Sequence, residues 1–241
     1  MSEARVCCVL ELVGLAGIGK TMTARAVADR LEAMGHRPRL RGEPRGGGRI
    51  SLMRTALARP RAVFGLVGIA ALTGWVAAGS VRWKVARAAR MTTGLMEMLH
   101  AFHRSDPLIM DEGPLVWAAA IRWGWPRLAR RMILGLATYY ATVPCVRVVS
   151  LVGDTAMLRT QRKIRKAGRP ASKYEKQYGP EKFPDEKPHK HTDAERARAL
   201  KLFIRLLRVK GVPVMTVQNG DPDTVNAVIT LAGWNHEGLG Q

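Results

Sequence analysis

An eight-residue segment near the start of the chain reads G-L-A-G-I-G-K-T and matches the pattern G-x-x-x-x-G-K-[ST] at every fixed position. This pattern constrains the fold because it works only between a β-strand and the first turn of an α-helix. Residues 6–13 precede it as an apolar strand candidate, and residues 22–34 follow it with apolar side chains at helical spacing. The sequence therefore predicts a strand, a loop and a helix, in that order.

Each residue type in this loop suits a particular interaction with a bound phosphate. The glycines let backbone N–H groups curve around phosphate oxygens, and the start of the helix adds a partial positive charge. Lys20 would reach the terminal phosphates, and Thr21 would offer its hydroxyl to Mg²⁺. We therefore expect a purine nucleoside triphosphate site that takes ATP and Mg²⁺; the alternative is a chance glycine turn. The expected nucleotide-binding residues are Gly14, Leu15, Ala16, Gly17, Ile18, Gly19, Lys20 and Thr21.

Paired acids follow a short apolar segment in the middle of the chain. Leu108, Ile109 and Met110 predict a strand, so Asp111 would sit at its carboxyl end. Ligands gather at these ends in open α/β sheets, and a phosphate loop needs a carboxylate there to hold Mg²⁺ through its water shell. We predict that Thr21 and Asp111 organise Mg²⁺ and that Glu112 is a base or a second magnesium contact. The alternative is an ordinary exposed acidic turn.

The chain carries 39 Lys and Arg against 19 Asp and Glu, a formal charge of +20. This excess favours anionic partners such as polyphosphates, acidic lipids or nucleic acid and does not choose between them. An arginine-rich proteome would produce the same excess without a functional meaning. The length of 241 residues suits one domain over residues 1–241. We predict a three-layer α/β fold with a mostly parallel sheet and helices on both faces.

An uncharged run over residues 62–81 is long enough to cross a bilayer. Its glycines, Thr and Ser lower its hydrophobicity. A single crossing would also separate two flanking strands that must pair in one sheet. We predict instead a buried or surface-lying helical hairpin, within an insertion over about residues 52–98. Basic residues around it would meet anionic headgroups if it touches a membrane: Arg54, Arg59, Arg61, Arg82, Lys84, Arg87 and Arg90.

Three cysteines, Cys7, Cys8 and Cys145, fall in predicted buried strands and lack metal-ligand spacing. We expect them to be small core side chains in a reducing cytoplasm. The N-terminus enters the first strand almost at once, which leaves no room for a signal peptide. The sequence thus predicts a cytoplasmic protein, with peripheral attachment to a membrane as the alternative.

The second half of the chain predicts a strand at residues 145–152 and then a basic helix. Arginines at three- and four-residue spacing put several guanidiniums on neighbouring helix faces, and these planar groups suit the charge of a transferred phosphoryl group. The alternative is a solvated basic face. The arginines are Arg159, Arg162, Arg165 and Arg169. A polar mobile loop over residues 170–191 should follow.

The C-terminal part predicts a helix over residues 192–210 that Gly211 ends, a strand at 212–217 and a helix at 222–232. Three tryptophans precede the strand at 145–152, and we expect them to be core residues rather than the wall of a substrate pocket. They are Trp117, Trp123 and Trp125.

The order of these segments resembles the P-loop kinase group that includes thymidylate kinase and other nucleoside monophosphate kinases. The resemblance covers about two thirds of the chain, and Arg41-Gly-Glu-Pro44 echoes the Arg-Glu-Pro segment of thymidylate kinases. It implies ATP- and magnesium-dependent phosphoryl transfer. It also implies a lid over about residues 155–191, whose arginines, carried over to the four named above, close over the phosphates.

Two departures from the family concern the acceptor. Thymidylate kinases carry Asp-Arg where this chain has Asp111-Glu112-Gly113, so the arginine that would contact the acceptor's phosphate is missing, and thymidylate is not the expected acceptor. The apolar insertion occupies the region where these kinases build their acceptor site, which suggests an unusual anionic, lipid-associated or glycan-related acceptor. The alternatives are a nucleotide-switched NTPase that binds a membrane or protein partner and, less favoured, a nucleic-acid-binding protein.

Overall fold

The computed structural model contains five strands and six helices within the residues that it describes. These residues are 9–15, 18–41, 68, 71, 81–104, 107–119, 126–143, 145–153, 193–219, 221 and 223–234. The strands are β1 (Val9–Val13), β2 (Arg39–Leu40), β3 (Leu108–Met110), β4 (Val146–Val152) and β5 (Val214–Gln218). The helices are α1 (Lys20–Ala33), α2 (Val81–Arg104), α3 (Pro114–Ala118), α4 (Pro126–Thr142), α5 (Asp193–Val209) and α6 (Thr224–Ala232).

The strands form one sheet in the order β2-β3-β1-β4-β5, and every neighbouring pair is parallel. The first strand lies at the centre, with Leu10 opposite Ile109 of β3 and Arg147 of β4. Its sequence, V-L-E-L-V, is almost wholly apolar, as is typical of a parallel strand that is covered on both faces. The predicted α/β class with a parallel sheet is confirmed.

Helices cover both faces of the sheet. Leu10 and Leu12 of β1 pack with α1, α6 and the fully buried Trp234 in one apolar cluster. Val9 and Val13 belong to a second cluster, built with α2, α3, α4 and α5. The alternation along β1 follows from the period of two in a strand, which sends successive side chains to opposite faces.

The strands β1, β3, β4 and β5 and the helices α1, α5 and α6 lie within a few residues of their predicted positions, whereas α3 and α4 were not predicted. Helix α2 is the most informative, because it begins where the uncharged run ends and continues past the predicted end of the insertion. Its buried residues, among them Met91, Leu95 and Met98, are part of the core. Most of residues 52–80 lie outside the described residues, so the predicted hairpin stays a prediction. Gly211 ends α5 with a positive φ of 77°, as expected of a helix-terminating glycine.

None of the helices within the described ranges is long and apolar enough to cross a membrane. The described ranges include α2 but not most of the uncharged run over residues 62–81, whose predicted helical hairpin stays a prediction.

Cys145 lies just before β4 and is buried, as expected of a small core side chain. Its sulfur is disulfide-bonded. The sequence analysis did not predict this bond, and disulfides are rare in a reducing compartment. Cys7 and Cys8 lie outside the described residues.

The packing of α1 on the sheet leads to a stability prediction. Leu31 is fully buried against the sheet, whereas Met22 on the same helix is 77% exposed. Leu31→Ala should lower the free energy of unfolding by about 2–5 kcal/mol because it removes buried methyl groups and leaves a cavity. Met22→Ala should change it by less than about 0.5 kcal/mol. Chemical denaturation measures both, and equal effects would contradict the described packing.

Candidate functional site

The carboxyl ends of all five strands lie at one edge of the sheet because every strand runs in the same direction. This edge carries Gly14 after β1, Arg41 after β2, Asp111 after β3 and Asn219 after β5. From β1 the chain leads through α1 to β2 on one side, and from β4 it leads to β5 on the other side. β1 and β4 are neighbours whose following connections lead to opposite sides of the sheet. In open α/β sheets a crevice forms outside the carboxyl ends of two such strands, and ligands bind there.

Two glycines of the phosphate-loop segment are required by close contacts. A Cβ at Gly14 would lie 2.8 Å from the carbonyl oxygen of Leu151, because the end of β1 passes close to β4. Gly19 has a φ of 89°, and a Cβ there would lie 2.8 Å from Nδ2 of Asn219. At Gly14 a larger residue would press on the backbone of β4, and at Gly19 the positive φ itself disfavours any residue that has a Cβ. The loop is thus seated on β4 and on the end of β5.

Lys20 is the first residue of α1, and its side chain turns back over the loop. Its Nζ donates to the carbonyl oxygens of Gly14 and Leu15, each at 3.0 Å. The ammonium group therefore sits beside the loop rather than in bulk solvent. The start of α1 lies at the same place, so its backbone amides and partial positive charge add to that of Lys20. Both features favour an anion at this point.

Thr21 and Asp111 meet across 90 residues of sequence. The Thr21 hydroxyl Oγ1 donates to Oδ2 of Asp111 at 2.6 Å. Thr21 lies in the first turn of α1, and Asp111 directly follows β3, which pairs with β1. The two side chains predicted to share a metal ion are therefore neighbours.

These two side chains fit the requirements of Mg²⁺. A hydroxyl and a carboxylate supply the oxygen ligands that this ion prefers, and Mg²⁺ at nucleotide sites takes its remaining ligands from phosphates and water. Within the described ranges, no group of three or more His, Cys, Asp or Glu side chains could hold a metal ion alone.

The remaining predicted site residues fall into two groups. Ile18 is buried under the loop, and Glu112 is exposed, with its backbone carbonyl accepting a hydrogen bond from Trp117 Nε1 at 3.2 Å. The other predicted residues lie outside the described residues, and their roles stay predictions. They are Ala16, Gly17, Arg159, Arg162, Arg165 and Arg169.

A carboxylate is buried in the centre of the sheet, three residues before the loop. Glu11 of β1 has no exposed surface. Its Oε1 accepts a hydrogen bond from the backbone N–H of Leu115 at 2.9 Å, and its Oε2 accepts one from the hydroxyl of Tyr140 on α4. Gly113 lies so close that a Cβ there would overlap the Glu11 carboxyl group. Glu11 therefore joins the central strand to α4 and to the segment that follows Asp111.

Burial raises the pKa of Glu11 from 4.5 to about 7. The hydrogen bonds from Tyr140 and Leu115 and the positive charge of Arg41 act in the opposite direction and are the smaller effects. Burial, together with the neighbouring Glu11, also raises the pKa of Tyr140 well above its usual value. The Tyr140 hydroxyl consequently keeps its proton and remains a donor to Glu11.

A cationic group borders this network at the end of β2. Arg41 donates from Nε to Oε2 of Glu97 at 3.0 Å and from a terminal nitrogen to the carbonyl oxygen of Arg90 at 3.0 Å. The Arg90 guanidinium lies 4.7 Å from the centre of the Trp117 ring, in a cation–π contact. Trp117 is half-buried and packs against the core, as expected, whereas Trp123 and Trp125 lie outside the described residues. Two arginines thus lie at the same sheet edge as the phosphate-loop segment.

Sequence reasoning missed three residues that shape this region: Glu11, Tyr140 and Asn219. One signal was available for Glu11, because a lone charged residue inside an apolar, doubly covered strand must be paired or neutralised. Tyr140 and Asn219 carry no comparable signal, since their partners are distant in sequence.

Comparison with protein-family models gives no match, and comparison with curated proteins gives none either.

The raised pKa of Glu11 predicts how stability depends on pH. Between about pH 4.5 and 7 the folded state binds the Glu11 proton more tightly than the unfolded state, so stability falls as pH rises through this window. The loss should reach roughly 3 kcal/mol above the window. Glu11→Gln should remove this part of the slope, and Glu32→Gln, an exposed control, should keep it. Denaturation between pH 4 and 8 tests this, and identical slopes for wild type and Glu11→Gln would refute it.

Proposed function

We propose that the protein is an ATP- and magnesium-dependent phosphotransferase of the P-loop kinase type, acting on an acceptor other than thymidylate. One observation carries the proposal: the hydrogen bond of 2.6 Å between Thr21 and Asp111, beside the ammonium group of Lys20. A complete phosphate-loop pattern supports it, and so does the seating of this segment at the divergence of β1 and β4.

In this proposal each residue either neutralises charge on the phosphates or positions the reacting groups. The loop amides and the start of α1 hold the phosphate chain of ATP, and Lys20 neutralises its terminal phosphates. Thr21 and Asp111 hold Mg²⁺, which when bound neutralises charge on the β- and γ-phosphates. Arg159, Arg162, Arg165 and Arg169 are proposed to close over the transferred group, and Glu112 is proposed to accept the acceptor's proton. Phosphoryl transfer needs little more from the protein than this positioning.

The acceptor is proposed to be an anionic or lipid-associated molecule. Arg41 and Arg90 lie at the same edge as the loop, and because Glu97 pairs with Arg41, the three side chains leave a net positive charge for an anionic group. A cytoplasmic location with peripheral membrane contact stays part of the proposal, although the disulfide at Cys145 weighs against a reducing compartment.

The alternative function is that of a nucleotide-switched NTPase. ADP release that depends on an acceptor favours phosphoryl transfer, and ATP hydrolysis without an acceptor favours the nucleotide switch.

Nucleotide binding by Lys20→Ala tests the phosphate-loop assignment. Loss of the ammonium group should weaken ATP binding by at least about tenfold, because a charge-assisted contact to phosphate contributes about 1.5–3 kcal/mol. Titration calorimetry on wild type and variant measures this. Lys201→Ala on the exposed face of α5 removes a lysine far along the chain and should leave ATP affinity unchanged. Equal affinity of wild type and Lys20→Ala would overturn the proposal.

Magnesium dependence tests the pairing of Thr21 with Asp111. In wild type, Mg²⁺ should tighten binding of a non-hydrolysable ATP analogue relative to binding in a metal chelator. Asp111→Asn should reduce this enhancement by about tenfold or more, since the carboxylate is the ion's charged protein ligand. Binding in the chelator should change little. If Asp111→Asn keeps the full enhancement, Asp111 does not hold the metal.

A further inference from the structure

We propose that Glu11 is a positioning residue that sets the place of Asp111 at the metal site. This inference rests on the proposed function, because it concerns how the same site holds Mg²⁺. Glu11 does not reach the site itself: its side chain is buried on the face of the sheet covered by α3 and α4. It acts through the segment that connects β3 to α3.

The connecting segment is short and is fixed at both ends. At one end, β3 pairs with β1, which places Met110 beside Glu11. At the other end, the N–H of Leu115 donates to Glu11 Oε1 at 2.9 Å. Asp111, Glu112 and Gly113 lie between these two points of attachment, both of which lead to the same residue of the central strand.

The contact with Gly113 makes this arrangement specific. A Cβ at Gly113 would overlap the Cδ and Oε1 atoms of Glu11, so only glycine lets the segment pass this close to the carboxyl group. Gly113 is two residues after Asp111, whose carboxylate accepts the Thr21 hydroxyl. A displacement of Gly113 would therefore shift Asp111 relative to Thr21.

The carboxyl group also needs its second partner. Tyr140 of α4 donates to Oε2 and leaves Oε1 directed at Leu115. Glutamine at position 11 keeps an acceptor for the Leu115 N–H and presents an amide to the Tyr140 hydroxyl, which can accept. Alanine keeps neither, so the Leu115 N–H and the Tyr140 hydroxyl lose their partner and the segment loses its anchor. The two substitutions should consequently differ at the metal site.

The test measures the magnesium enhancement, defined as the affinity for a non-hydrolysable ATP analogue in Mg²⁺ divided by that in a metal chelator. Glu11→Ala should reduce the enhancement by about tenfold, the lower end of the loss seen when groups that orient metal ligands are removed. Affinity in the chelator should stay within about twofold. Glu11→Gln should restore most of the enhancement.

A matched control separates positioning from loss of stability. Leu207→Ala removes a fully buried side chain of α5 from the same apolar cluster as Leu115 and Tyr140, and it destabilises the fold without removing a hydrogen bond of Glu11. It should leave the magnesium enhancement unchanged in the folded protein. An enhancement that falls equally in Leu207→Ala and Glu11→Ala would overturn the inference, because loss of stability alone would then explain it.

A double-mutant cycle with Asp111→Asn tests whether Glu11 acts through Asp111. Once Asp111 can no longer hold the metal, adding Glu11→Ala should cost no further enhancement. Independent losses that multiply would refute the inference. Gly113→Ala provides a second approach if Glu11→Ala does not fold, since its Cβ should displace the segment and reduce the enhancement similarly. A folded Gly113→Ala with full enhancement would also refute it.

The outcomes for wild type separate this inference from the proposed function. Wild type that binds no nucleotide, or binds it without any effect of Mg²⁺, overturns both. Wild type with a clear enhancement that Glu11→Ala retains leaves the proposed function intact and overturns only the role of Glu11.

Discussion

The parallel pairing of β1 with β3 is the constraint on which the proposed site depends. Pairing in register places the carboxyl ends of both strands at one edge, so the loop after β1 and Asp111 after β3 become neighbours. The helix that follows the loop then brings Thr21 to Asp111 without any long or mobile side chain. Thr21 is carried by α1 and Asp111 directly follows β3, and side chains on or next to regular elements are held more accurately than those on long loops.

The pairing of β1 with β3 also places the Leu115 N–H beside Glu11, and this contact helps to explain why a carboxyl group is tolerated in the middle of the sheet. An isolated buried carboxylate would be costly, and Glu11 avoids this cost by taking two hydrogen bonds and by a pKa raised to about 7. An apolar residue at position 11 would bury no carboxyl group, but it would leave the Leu115 N–H without its partner. The position of the segment after β3 thus depends on a group that an apolar core would not supply.

Much of the fold could be predicted from the sequence because its signals are local. Apolar runs predicted β1, β3, β4 and β5, and Gly211 predicted the end of α5. The phosphate-loop pattern and the acid after β3 predicted that Thr21 and Asp111 lie together. The strand order and the contacts of Asn219 with Gly19 could not be predicted, since they depend on which distant segments pack together. Glu11 lies between these cases: its burial could be expected, but its partners could not.

The most direct test of this account is the energetic coupling between Thr21 and Asp111 in magnesium-dependent binding of a non-hydrolysable ATP analogue. The measurement compares wild type, Thr21→Val, Asp111→Asn and the double variant by titration calorimetry, each with Mg²⁺ and with a chelator. If the two side chains hold one ion, the double variant should lose little more of the magnesium enhancement than Asp111→Asn alone. Independent losses in the two single variants, or wild type with no enhancement, would contradict a shared metal site at this edge of the sheet.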